Sequence, residues 1–187
     1  LFMRNLTGLW LLEQAMHQWH SQGKSVTIAS LLQDAATIDP LKAAFDVSSP
    51  ELVSSQDVLR TVRMQCSSTG LAAPETPAEA TRCILQSLAL TYRRTVDLCE
   101  RLTDRPVEEV HMIGGGSLNP LLRQLTADAC GRPLRFGPVE ATSLGSLVTQ
   151  AVAMGDLSDE ADVQAVLQRS ADVGVLMPAD DESVRRF

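Results

Sequence analysis

The sequence predicts a helix-rich α/β fold, and three features carry that prediction. Apolar residues recur at helical spacing through roughly the first hundred positions. The quartet Thr76-Pro77-Ala78-Glu79 has the form of a long helix's start. After residue 105 the pattern changes to a β-branched run that ends in the glycines of HMIGGGSLNP, residues 111–120.

In residues 6–19, Leu9, Leu12, Met16 and Trp19 form one helical stripe, and Gly23 marks its end. A second helix is expected over residues 26–36, closed by Asp39-Pro40. LKAAFDVSSPELVSS holds two clusters of breakers and reads as an extended surface excursion. Ser55 is then placed to cap a helix to about residue 67, with Val58, Val62 and Met64 facing inward. Thr76 as cap, Pro77 at the first position and Glu79 at the third begin a helix to about residue 102, with Ile84, Leu88, Thr91, Thr95 and Cys99 along one face.

Residues 107–113 read as a strand, and Ser117 can cap a helix over 118–129 that Gly131 stops. RPLRFGP reads as a second short strand. Helices follow over 142–154 and 160–169; Gly145 in the first suggests two closely packed backbones. The acidic PADDES is expected to trail into solvent. The organisation is thus a helical part, about 1–104, then a strand, glycine turn and helix part, about 105–170, within one domain of 1–187.

The apolar fraction, 44% of 187 residues, is enough for a core, and a net charge of −7 argues against general affinity for nucleic acid or an anionic membrane. No apolar run reaches the length of a membrane span. The four cysteines, Cys66, Cys83, Cys99 and Cys130, show no CxxC spacing and read as reduced thiols of a cytoplasmic protein. A Cys66–Cys83 bridge is conceivable, but spacing alone does not decide whether the two pair. LFMRNLTGLW begins at Leu1 and enters a helix almost at once, so a fragment lacking its N-terminal part is expected.

A strand that ends in glycines and feeds a helix start can receive a phosphate or a ribose oxygen, because the first N–H groups are unpaired and Cβ atoms are absent. GGGSLN is neither common nucleotide fingerprint: a P-loop needs GxxxxGK[ST], and a dinucleotide turn needs a glycine where Asn119 stands. On the motif alone a ligand turn and a plain tight turn are equally served. His17 and His20 share one helical turn without a third ligand nearby, His111 sits beside the glycines, and Glu140 and Asp128 form no acid/base pair. No GxSxG elbow surrounds Ser117, Ser143 or Ser146.

The segment VHMIGGGSLNPLLRQLTADACGRPLRFGPVEATSLGSL resembles the C-terminal domain of the FGGY carbohydrate kinases, within that family the rhamnulokinases most. NLTGLWLL at 5–12 and RCILQSLALTYR at 82–93 are further matching blocks, so the resemblance runs from about Arg4 to Met154.

The resemblance implies the C-terminal lobe of an actin-like, ribonuclease-H-like ATPase fold without its first strands, a second N-terminal lobe, ATP with Mg2+, and a sugar substrate. It implies that Gly114, Gly115 and Gly116 approach the adenosine, Gly115 foremost, with Asn119 beside the adenine or ribose. Asn5 and position 13 would contribute from the first helix, where this chain carries Glu13 in place of the expected Gln; a carboxylate accepts hydrogen bonds but donates none. An N-cap role for Asn5 and a solvated helix position for Glu13 stand beside these readings.

The catalytic Asp, most sugar contacts and a phosphate-binding hairpin lie upstream in that family, so no catalytic residue is expected here. The implied activity of the whole protein is transfer of the ATP γ-phosphate to a ketose such as L-rhamnulose. The alternatives are another FGGY kinase, such as a xylulokinase, and a non-catalytic helical interaction domain.

Overall fold

A computed structural model describes residues 8–39, 43–170 and 173–179. Among these, the chain opens with helices α1 (Trp10–Ser21), α2 (Ile28–Ala36), α3 (Pro50–Val53), α4 (Val58–Ser68) and α5 (Pro77–Thr103). It continues as β1 (Val110–Met112), a 3-10 turn (Gly115–Leu118), α6 (Pro120–Cys130), β2 (Leu134–Phe136), α7 (Ala141–Met154), α8 (Glu160–Ser170) and β3 (Gly174–Leu176). The helix-rich α/β expectation holds.

The predicted capping box forms as written. Thr76 Oγ1 accepts from the Glu79 N–H at 3.2 Å, and a Glu79 carboxylate oxygen accepts from the Thr76 N–H at 3.0 Å. From that start α5 is buried almost without interruption from Ala80 to Ala89. Leu11 and Trp19 of α1, Leu31 of α2, Val62 of α4 and Leu122 of α6 close round it into one core. Each fully buried leucine there contributes roughly 2 kcal/mol by removal from water.

The sheet has the order β1-β2-β3. β1 and β2 run parallel, with Val110 opposite Leu134, and α6 connects them; β3 returns antiparallel on the far side of β2. Among the described residues, the other edge of β1 has no strand beside it.

Several expectations are corrected. The stretch read as a surface excursion puts Phe45, Val47 and Leu52 in the core, with the Phe45 N–H bonded to Ser87 Oγ at 3.1 Å. Asp57, not Ser55, caps α4; Met64 is 61% exposed, and Leu59 and Cys66 point inward instead. The first predicted strand shrinks to three residues. α6 starts at Asn119-Pro120 rather than at Ser117. A Cβ at Gly145 would meet nothing within 4 Å, so no backbone packs there.

α7, rich in Ala, Val and Leu, buries none of its residues; Leu147 is 63% and Met154 78% exposed. β3 falls where no strand was expected. Of PADDES, Pro178 and Ala179 are described and the rest lies outside the described residues.

All four cysteines are free thiols. Cys66 and Cys83 are buried with their Sγ atoms 3.7 Å apart, and Cys66 Sγ donates to the Ala44 carbonyl at 3.6 Å. Cys83 is therefore the donor between the two sulfurs. That bond and burial push the Cys83 thiol up, while accepting it holds the Cys66 thiol down. Iodoacetamide is expected to label Cys99 in the folded protein, and Cys66 and Cys83 only after unfolding; peptide mass spectrometry showing early modification of either buried thiol would refute this burial.

β3 is seated by an aromatic contact. Arg123 lies over the Phe136 ring at 3.9 Å from its centroid, and a Cβ on Gly174 would overlap the same ring. Gly174→Ala is expected to cost roughly 1–3 kcal/mol through overpacking. The urea midpoint checks this; an unshifted midpoint means that the ring moves aside freely.

Candidate functional site

Between α1, α2 and the start of α6 lies a cleft of about 920 Å³. Leu9, Leu12 and Met16 of the first helical segment form one wall, Ile28, Ala29 and Leu32 a second, and Gly115, Leu118, Asn119, Pro120 and Leu121 a third. Its lining is mainly apolar, with Glu13, Gln33, Asn119 and Gln124 as the polar members, a composition suited to a flat heterocycle with a polar edge.

The glycines divide the work. Gly114 has φ 77° and ψ −165°, a conformation essentially reserved for glycine, and its N–H donates to the Pro138 carbonyl at 3.1 Å. This residue makes the corner. Gly115 has no such backbone requirement, and a Cβ there would meet nothing within 4 Å; it lines the cleft. No acceptor among the described residues takes up the N–H groups of Gly115 and Gly116. Gly116 borders a second groove of about 480 Å³ between α5 and β1.

Asn119 shows why the helix begins where it does. Its Oδ1 accepts from the Leu122 N–H at 2.9 Å, and Pro120 occupies the first helical position, where no N–H is needed. The residue is 6% exposed. With Oδ1 committed, its amide N–H groups are what it can still offer a ligand. The Ser117 hydroxyl, expected as the cap, instead donates to the Gly114 carbonyl at 2.7 Å and braces the corner.

Glu13 is exposed at the cleft, in the first turn of α1. The structure thus brings Glu13, Gly115 and Asn119 to one cleft, while Gly114 stands behind it and Gly116 opens on the other side. Asn5 lies outside the described residues. Sequence reasoning missed Gln33 and Gln124. Gln124 falls four residues after the Pro120 that starts α6, a spacing that was available, whereas Gln33 depends on how α2 meets α1.

The other candidates resolve as structural. His111 Nε2 is 2.7 Å from Glu109 Oε1 on the exposed sheet face, and Arg135 Nε is 2.8 Å from the same oxygen. Arg135 holds the Glu109 carboxyl below its ordinary range, chiefly by hydrogen bonding. His20 Nε2 bonds the Val26 carbonyl at 2.9 Å, fastening the end of α1 to the approach to α2. The Glu140 side chain makes no cap bond to α7. Asp128 accepts from Gln124 and from the Ala179 N–H, and its charge favours the charged form of the Arg82 guanidinium.

The comparisons with known proteins give the site its context. The C-terminal domain of the FGGY family of carbohydrate kinases matches residues 1–154. The chain belongs to that family. A rhamnulokinase of Bacteroides thetaiotaomicron is 34% identical over 178 residues, 95% of this chain and 36% of that protein. One of Klebsiella pneumoniae is 30% identical over 185 residues, 99% of this chain and 37% of its own length.

The FGGY chain therefore spans little more than a third of these curated relatives. Among solved structures, ligand-bound xylulose kinase from Lactobacillus acidophilus superposes with a TM-score of 0.62 at 15% identity, over 95% of this chain and 35% of that one. Xylulose kinase from Rhodospirillum rubrum gives 0.57 at 19% identity, over 96% and 35%. Their shared fold makes this FGGY domain a C-terminal lobe of the actin-like ATPase type.

Gly114 and Gly115 have separable costs. Gly114→Ala is expected to lose roughly 1–3 kcal/mol of stability from backbone strain, and Gly115→Ala almost none. Urea melts of the pair decide it: equal losses would contradict the division between corner and cleft wall.

Proposed function

We propose that this domain is the ATP-binding lobe of a sugar kinase that transfers the γ-phosphate of ATP to a ketose, L-rhamnulose being the acceptor best supported, giving L-rhamnulose 1-phosphate. The single observation that carries the nucleotide reading is the convergence of Glu13, Gly115 and Asn119 on one largely apolar cleft. The acceptor rests on the curated relatives at about 30% identity, which are rhamnulokinases.

In this reading the purine lies between the α1 and α2 walls and the glycine turn. Gly115 lets it approach the backbone, and the Gly115 N–H group offers a donor to a ribose oxygen. Asn119 offers a further donor and Glu13 an acceptor at the polar edge. Asn5 is retained as a nucleotide contact on the resemblance alone. Gly114 acts indirectly, by making the turn.

Mg2+ supplies charge neutralisation on the β- and γ-phosphates in such transfers. The described residues hold no group of three or more His, Cys, Asp or Glu side chains suited to a metal, so none is assigned to it. The base, the phosphate contacts and most of the sugar site are assigned to an N-terminal lobe. The β1 edge that has no strand beside it among the described residues and the unburied α7 give that lobe a surface to cover. No described helix is long and apolar enough to cross a membrane, and the free thiols fit a cytoplasmic setting.

The full-length kinase is expected to phosphorylate L-rhamnulose in preference to D-xylulose in a coupled ATPase assay; turnover of no ketose at all would end this reading. Gly115→Val is expected to raise the KM for ATP about tenfold or more, roughly 1.4 kcal/mol, because its side chain fills cleft space. Its thermal midpoint should stay unchanged. Unaltered nucleotide affinity would return the glycine run to a plain turn.

A further inference from the structure

The cleft has a polar member whose orientation is fixed from outside it. Gln124 and Asp128 stand four residues apart on α6 and so share a face. Gln124 Nε2 donates to Asp128 Oδ1 at 2.7 Å and to the Met177 carbonyl at 3.2 Å. The same Asp128 oxygen accepts the Ala179 N–H at 2.8 Å. Residues 177–179, which follow β3, are thereby strapped along α6. The family match ends at residue 154, so it assigns this strap nothing.

The commitments decide which end of the amide the cleft meets. Both donor positions of Gln124 are spent on Asp128 and Met177, and its Oε1 has no partner among the described residues. Gln124 is half-buried and lines the cleft. A free glutamine amide can rotate to present a donor or an acceptor; this one is left only its acceptor.

We propose that Gln124 is a further binding residue of the cleft, accepting a hydrogen bond from a nucleoside hydroxyl or amino group. Asp128 and the strap are its positioning elements. The inference rests on the nucleotide reading of the cleft and adds to it a C-terminal segment that sets the polarity of one contact. Asp128 touches no ligand: it acts through Gln124.

The test uses the full-length kinase with ATP and its sugar. Gln124→Met is expected to raise the KM for ATP about fivefold to tenfold, the size of one hydrogen bond, with kcat and the sugar KM unchanged. Asp128→Ala should raise it by a similar factor. The double variant should be no worse than either single one, because both remove the same contact. Asp128→Asn, which keeps an oxygen for both donors, should restore most of the affinity.

Additive effects of Gln124→Met and Asp128→Ala would overturn the positioning role. So would an Asp128→Ala protein with a lowered thermal midpoint and an unchanged KM for ATP. Wild-type protein that binds ATP while Gln124→Met binds it equally well would overturn this inference alone. Wild-type protein that binds no nucleotide overturns the nucleotide reading and this inference with it.

Discussion

The burial of α5 is the constraint on which the other elements depend. Over its first turns even Thr81, Gln86 and Ser87 are cut off from water, so the helix must be wrapped rather than backed on one side. α1, α2 and α4 supply that wrapping, and α6 packs against it through Leu122, Leu125 and Ala129. The cleft is a by-product of the same arrangement. α1 and α2 approach α5 with one face and present their remaining apolar residues to the start of α6. Displacing α5 would therefore dissolve the cleft together with the core.

Local chemistry was legible in the sequence wherever a single segment contained both halves of an interaction. Thr76 and Glu79 are three residues apart and satisfy each other, so the longest helix could be placed within a residue. Asn119 was singled out, yet its capping of α6 was not, because Ser117 is an equally good cap on paper. The choice fell to the geometry of the turn: with Gly114 in its positive-φ corner, the Ser117 hydroxyl is drawn back to the Gly114 carbonyl. Phe45 and Val47 were misplaced for a different reason. Their segment has loop composition, and only the long-range bond to Ser87 and the space beside α5 bring them inside.

The same division runs through the site. Gly115 and Asn119 were found because the glycine turn carries its own signal, and Glu13 because the resemblance pointed to its position. The cleft walls contributed by α2 were not legible, since nothing in α2 records which helix it will face. β3 was missed because its three residues are held by the Phe136 ring and by pairing to β2, both supplied by chain some forty positions upstream.

α7 has a practical consequence for how such a lobe is handled. A helix of fourteen residues, rich in Ala, Val and Leu and with none of them buried, presents a continuous sticky face when its lobe is studied alone. Self-association at high concentration would then report on α7 rather than on the cleft some distance along the chain. Charged residues at Leu147, Val152 and Met154 would make that face water-compatible without touching the core, which contains none of the three. The lobe could then be titrated with ligands as a monomer.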